Sequence, residues 1–247
     1  NPPLSRGRRH PAVPRWRCTM RLILSVLLAL VLLAPQAGDA SRARPTLLDS
    51  VRPLSQIVLR DFTTDTIAYR NICTVSSINT ALHLWLTAAH CVFDTRMDED
   101  GVVTTVPVTD LAIEGHLAFI VKTDAMIDLA ILLTPDFALP ALRLAGRGPF
   151  WEDAVRVVGH PFGCPSVTIV AGTVSNPDAA PFTQMGFAPS YMFITAPVAP
   201  GNSGSPIVNS RGEIVSVLQI GWGRGYSPGG GATYARLKAF ADGYFER

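Results

Sequence analysis

Lysine is almost missing from this 247-residue chain: Lys122 and Lys238 stand against nineteen arginines, within totals of 21 basic and 19 acidic residues. Six of the basic residues and one acid precede position 41, so the remainder carries 15 basic against 18 acidic groups, a formal charge of −3. That excludes a basic nucleic-acid surface on the later part. Cysteine is scarce, with four residues at positions 18, 73, 91 and 164. There is no Cys-x-x-Cys or His-x-x-x-His pair, so no zinc site is expected. The acidic stretch Asp94–Gly101 lacks the regular ligand spacing of a calcium loop and reads as a solvated turn. No metal or other cofactor is expected. Long apolar runs are also lacking: Leu22–Ala34 has 13 residues, short of the roughly 20 that a transmembrane helix needs.

What that run does have is context. Met20-Arg21 precedes it and Pro35-Gln36-Ala37-Gly38-Asp39-Ala40 follows it. A basic start, a short apolar centre and small residues before a cut make a secretory signal over residues 20–40, with cleavage expected after Ala40. The localisation expected is secreted or periplasmic, with no stable membrane insertion once the signal is removed; an uncleaved anchor is the alternative. Residues 1–19 read as a gene-model extension before an initiating Met20, residues 41–53 as a linker or short pro-segment, and residues 54–247 as the folded domain.

Twenty glycines and twenty prolines, spread among short apolar runs, indicate many turns and a β-rich fold. Gln56–Arg60, Ile67–Ile78, Leu82–Leu86, Val102–Val108, Leu111–Ile113 and His116–Val121 read as strands. Beyond a Pro-, Ala- and Gly-rich link over Pro135–Pro149 come Ala154–Gly159, Ser166–Val174 and Glu213–Ile220. Leu237, Phe240, Ala241 and Tyr244 recur at i, i+3, i+4, i+7, the apolar stripe of a helix. His83 is given no role. His160 lies in a proline-bound turn, His160-Pro161-Phe162-Gly163, and is a poor candidate for a base.

Three segments carry chemistry. Ala199-Pro200-Gly201-Asn202-Ser203-Gly204-Ser205-Pro206 sets one serine on a turn of small residues. Gly201 and Gly204 can take backbone angles closed to other residues, and main-chain N–H groups there can hold an oxyanion. Thr87-Ala88-Ala89-His90-Cys91 offers a histidine, and Asp128 precedes the apolar run Leu129–Leu132. Asp124 is the competing carboxylate, but its polar neighbours mark it as a loop residue. The order His, Asp, Ser is that of the chymotrypsin arrangement, and differs from subtilisin and the α/β-hydrolases.

On these motifs the chain resembles the trypsin/chymotrypsin-fold serine proteases, and is most similar to their secreted bacterial branch of glutamyl-endopeptidase-like and heat-shock-type enzymes. The likeness runs from about Ile57 to Tyr244. It implies an all-β fold of two six-stranded antiparallel β-barrels with a C-terminal helix. It implies a secreted serine endopeptidase, a monomer acting on polypeptide, with His90, Asp128 and Ser203 as triad and the N–H groups of Gly201 and Ser203 as oxyanion hole. It implies a Cys73–Cys91 disulfide, leaving Cys164 unpaired; two buried thiols are the alternative. Val198, Gly221, Trp222 and Gly223 would line the substrate pocket. The pocket base falls at Pro197 and Val198, neither acidic, and Ile220 stands where the glutamate-specific branch has a histidine. Small or medium apolar residues are therefore expected before the cut. Asn202 replaces the aspartate that pairs with a new N-terminus in zymogen-activated relatives, so an oxyanion hole independent of N-terminal insertion is expected. The alternative function is a catalytically silent protease-fold binding module.

N-terminal sequencing of exported protein should return Ser41 as the first residue; retention of residues 20–40, or a start far from Ser41, would overturn the cleavage assignment.

Overall fold

Two short runs explain the architecture. In Leu84-Trp85-Leu86-Thr87 and in Leu129-Ala130-Ile131-Leu132 every residue is buried, as a strand between two apolar surfaces requires. Leu84, Leu86, Leu129 and Ile131 point one way into a layer shared with Val158, Val208 and Val217. Trp85, Ala130 and Leu132 point the other way, into a core with Leu54, Val75, Leu111 and Ile113. The period-two alternation of a strand thus feeds two separate cores from one run.

The computed structural model describes residues 47–61, 66–97, 103–180, 190–221 and 227–246. A first closed barrel follows the order β1 (Val51–Asp61), β2 (Thr66–Asn79), β3 (Leu84–Thr87), β8 (Leu129–Leu133), β7 (His116–Asp124) and β6 (Leu111–Ile113). The hairpin β4 (Phe93–Met97) and β5 (Val103–Pro107) stands outside it. A second closed barrel follows the order β10 (Thr168–Ala179), β11 (Tyr191–Val198), β14 (Ser227–Ala232), β13 (Ile214–Gly221), β12 (Pro206–Val208) and β9 (Ala154–Gly159). Within each barrel neighbouring strands run antiparallel. Helix α1 (Tyr234–Ala241) follows. The expected fold of two six-stranded antiparallel barrels and a C-terminal helix is the one observed.

The second barrel fills its own centre with Val155, Val157, Met192, Ile194, Ile207 and Leu218. Between the barrels lies the shared layer, to which α1 adds Leu237, Phe240 and Ala241. Each fully buried aliphatic side chain contributes about 1.5–3 kcal/mol, so this layer holds the barrels together more strongly than any one polar contact could. The link between them is pinned: Leu142 N–H donates to Ser77 (2.8 Å), Ala145 N–H to Ile214 (2.9 Å), and the Tyr234 hydroxyl to the Ala145 carbonyl. Beyond α1 the chain returns to the first barrel, where Asn79 Nδ2 donates to the Tyr244 carbonyl (3.1 Å) and Glu246 N–H to Ile78 (2.9 Å).

Several local expectations need correction. Strand β1 starts at Val51, inside the segment read as a linker, because Ser50 and Val51 are fully buried and Val51 pairs with Ser76. Asp94 lies in β4 opposite Val106 rather than in a solvated turn, while residues 98–102 fall outside the described residues. His83 sits in a turn at φ 54°, its Nδ1 3.0 Å from the Thr134 carbonyl, not in a strand. Tyr244 lies past the end of α1. Among the described residues no helix is long and apolar enough to cross a membrane.

Cys73 on β2 and Cys91 are joined as a disulfide across 18 residues, and Cys164 is free and exposed. Replacing both bridged cysteines by serine should lower unfolding stability by about 2–4 kcal/mol. Urea denaturation of the oxidised and doubly substituted proteins measures this; equal midpoints and slopes would refute it.

Candidate active site

Strand β3 delivers the histidine. It is buried throughout, runs through the small buried residues Ala88 and Ala89, and enters a 3₁₀ turn over Ala89–Cys91. The disulfide anchors the far side of that turn to β2, so His90 is the residue left facing solvent, with its side chain 46% exposed. Asp128, at the mouth of β8, meets it twice. One carboxylate oxygen accepts the His90 main-chain N–H at 2.8 Å and the other lies 2.7 Å from Nδ1. An acceptor at Nδ1 places the neutral ring's proton there and leaves Nε2 with a lone pair. Asp124 is engaged elsewhere. Its Oδ1 accepts the N–H groups of Met126 (2.9 Å) and Ile127 (3.3 Å), closing the turn before β8.

The serine turn comes from the second barrel and is jammed against the first. Gly204 has φ 82°, and a Cβ there would lie 2.1 Å from Thr87 Oγ1 and 2.2 Å from the Thr74 carbonyl. The same position lies 3.2 Å from Ala88 N, two residues before His90. Thr74 N–H donates to the Ser203 carbonyl (2.8 Å), and Thr74 Oγ1 to the Gly201 carbonyl (2.9 Å). Thr87 Oγ1 in turn donates to the Thr74 carbonyl (2.8 Å).

Peptide geometry orients the N–H groups beside Ser203. A trans peptide points its C=O and N–H in opposite directions, and the structure has no cis peptide among the described residues. The Pro200 carbonyl accepts Phe162 N–H at 2.6 Å, so Gly201 N–H points away from Phe162. The Asn202 carbonyl accepts Ser205 N–H at 2.9 Å, which turns Ser203 N–H away from the interior of the turn. Among the described residues neither N–H has an acceptor. Gly201 must be glycine: φ is 92°, and a Cβ would lie 2.5 Å from the His160 carbonyl. Asn202 is buried, and a Cβ on Gly159 would lie 2.8 Å from its Oδ1. Its Nδ2 is buried with no hydrogen-bond partner among the described residues.

Sequence reasoning misses the supports. Phe162 holds the Pro200 carbonyl from a left-handed backbone at φ 56°. His160, almost fully buried, places that turn: its N–H donates to Thr74 Oγ1 (3.0 Å), and its Nδ1 lies 2.8 Å from the Cys164 carbonyl. The threonine of Thr87-Ala88-Ala89-His90 is visible as part of a motif; Thr74, Phe162 and His160 act over long sequence separations that no local pattern exposes.

Of the pocket residues, Val198 is buried in the second-barrel core, its Cγ2 2.8 Å from where a Cβ on Gly229 would sit. Gly221 is exposed at the end of β13. Trp222 and Gly223 lie outside the described residues. His90 lies close to Cys73 and Cys91, but both sulfurs are already bonded to each other, which removes them as metal ligands.

A family model described as the trypsin-like peptidase domain matches residues 73–217. The chain belongs to the trypsin-like peptidases. This domain is 36% identical over 76 residues to the chloroplastic Protease Do-like 2 of Arabidopsis thaliana, covering 31% of this chain and 12% of that protein. It is 32% identical over 108 residues to a probable periplasmic serine endoprotease DegP-like of Hahella chejuensis, covering 40% of this chain and 21% of that protein. The chain thus spans between about an eighth and a fifth of these relatives. Its fold is similar to the active form of the Rv3671c protease of M. tuberculosis, with a TM-score of 0.57 at 18% identity over 98% of this chain and 92% of that one. It is also similar to a serine endoprotease from Yersinia pestis, with a TM-score of 0.53 at 19% identity over 79% and 62%.

His160 gives this trypsin-like domain a pH signature. Burial holds its pKa below the ordinary 6.5, opposed in part by main-chain acceptors. The unfolded chain therefore binds a proton that the folded one refuses. Stability from this residue is fully present above pH 6.5 and is lost as pH falls below that value toward the depressed folded pKa. Denaturation midpoints of His160→Gln should decline less steeply than the parent's between those limits; parallel slopes would refute it.

Proposed function

We propose that this chain is an exported serine endopeptidase working through an acyl-enzyme. Ser203 Oγ attacks a peptide carbonyl while His90 Nε2 takes the hydroxyl proton, and Asp128 holds the ring and stabilises the imidazolium. The N–H groups of Gly201 and Ser203 receive the oxyanion. His90 then gives its proton to the leaving amine, and water repeats the sequence to release the acid. The observation that carries this reading is the pair of peptides whose carbonyls are tied down on Phe162 and Ser205, leaving the N–H groups of Gly201 and Ser203 without an acceptor among the described residues, in a chain whose His90 is doubly held by Asp128. Losing one such donor raises the barrier by about 3–4 kcal/mol.

The substrate is a polypeptide whose backbone pairs as an added strand near the end of β13 at Gly221. Pro197 and Val198 bring no charge to the pocket base, favouring small or medium apolar residues before the cut. The protein acts as a secreted or periplasmic monomer after loss of residues 20–40, with the protease domain beginning near the start of β1. It uses no cofactor.

The test is reaction of protein beginning at Ser41 with a fluorophosphonate probe. Labelling should occur, and should vanish in Ser203→Ala and after heat denaturation. Asp128→Asn should lower kcat by about 10⁴-fold, and a peptide library should show apolar preference. Folded wild type that takes no label, with or without residues 41–50, would establish the silent binding module instead.

A further inference from the structure

Two consecutive residues of β13 grip the two parts of the site. Leu218 holds the serine turn on both sides: its carbonyl accepts Gly204 N–H (2.8 Å) and its N–H donates to the Ser205 carbonyl (2.9 Å). Gln219 sits at a break in the β13–β14 register between Leu218 and Ile220, and its side chain reaches the first barrel. Its Nε2 donates to the carbonyl oxygens of Ile127 (2.6 Å) and Asp128 (2.7 Å). These carbonyls are consecutive, and a primary amide carries two N–H bonds, so one group satisfies both. The reversed amide would set its oxygen against two acceptors, so the contacts fix the side chain's orientation. The cost is visible at the other atom: Gln219 is buried, and its Oε1 has no partner among the described residues.

Asp128 explains why the donors are placed there. Its backbone has φ 53°, in the left-handed region. A non-glycine residue persists in such a state only where its surroundings hold it. In this conformation both carboxylate oxygens reach His90, one at its main-chain N–H and one at Nδ1. A relaxed backbone would swing the carboxylate off at least one of them. We propose that Gln219 is a positioning residue for the reaction: it clamps the Ile127 and Asp128 carbonyls and so keeps Asp128 in the strained backbone state that orients His90. Because Leu218 fixes the serine turn from the same strand, β13 keeps nucleophile and aspartate in step. This role rests on the reading of His90, Asp128 and Ser203 as a triad.

Two variants of the Ser41-start protein test it, with secondary structure followed by circular dichroism. Gln219→Leu keeps the volume and removes both donors. It should lower kcat by about 10²-fold while KM stays within about threefold, the pattern of a misplaced catalytic group. Gln219→Glu keeps the shape. Burial raises the titration point of the introduced carboxyl. Its neutral form donates one hydrogen to a carbonyl, whereas its anion presents only acceptors. The ratio of its kcat to that of wild type should therefore rise as pH falls from about 8 to about 5.5, the range a buried carboxyl reaches; a ratio independent of pH would assign Gln219 to packing and overturn the proposal. A measurement without turnover separates this from the protease reading. In a Ser203→Ala background the low-field proton resonance of His90 Nδ1–H should be present, and adding Gln219→Leu should abolish it. Persistence of the resonance overturns the proposal. Its loss on adding Gln219→Leu, together with failure of the folded protein carrying an intact Ser203 to cleave peptides, would sink the protease reading and leave the clamp standing.

Discussion

Thr74 gives its N–H to the Ser203 carbonyl and its hydroxyl hydrogen to the Gly201 carbonyl, and its own carbonyl accepts the hydroxyl of Thr87. Almost everything else about the site follows from that threonine. Histidine and aspartate belong to one barrel and serine to the other, so the chemistry depends on the registration of two bodies. Aliphatic packing supplies the adhesion but no direction; a small sliding error costs it little. Hydrogen bonds of fixed length and angle supply the direction. Thr74 does so from the first barrel, and Gln219 reaches back from the second.

The N–H groups of Gly201 and Ser203 follow the same logic with main-chain atoms. Two carbonyls are taken out of play by Phe162 and Ser205, and the trans peptide does the rest. Asn202, between the two peptides, is buried over Gly159. Among the described residues, the bonds that shape the turn come from within residues 74–218.

Much of this is legible in advance because His90, Asp128 and Ser203 each sit in a short run whose residues announce a local geometry: small residues before the histidine, glycines around the serine, an apolar strand after the aspartate. Strands are legible where both faces are apolar, as in β3 and β8. The supports are not, since Thr74 looks like any strand threonine and Gln219 like any polar residue interrupting Leu218-Gln219-Ile220. Their meaning lies in partners about 90 to 130 positions away. The early start of β1 is hidden for a different reason. Arg52 and Pro53 look like linker residues, yet the barrel needs a strand between β2 and β6 and takes them.

The return of the chain beyond α1 has a consequence for the order in which the molecule is made. The side chain of Asn79 and the carbonyl of Tyr244 are joined across 165 positions, and the Ile78 carbonyl waits for Glu246 in the same way. A chain emerging N-terminus first displays every strand of the first barrel long before these partners exist. Until Tyr244 and Glu246 arrive, the end of β2 lacks its closing contacts, and Ser203, farther along than His90 and Asp128, has only just appeared. Order of synthesis is therefore order of assembly: His90 and Asp128 are laid down first, Ser203 next, and the end of β2 is closed only once Tyr244 and Glu246 have emerged.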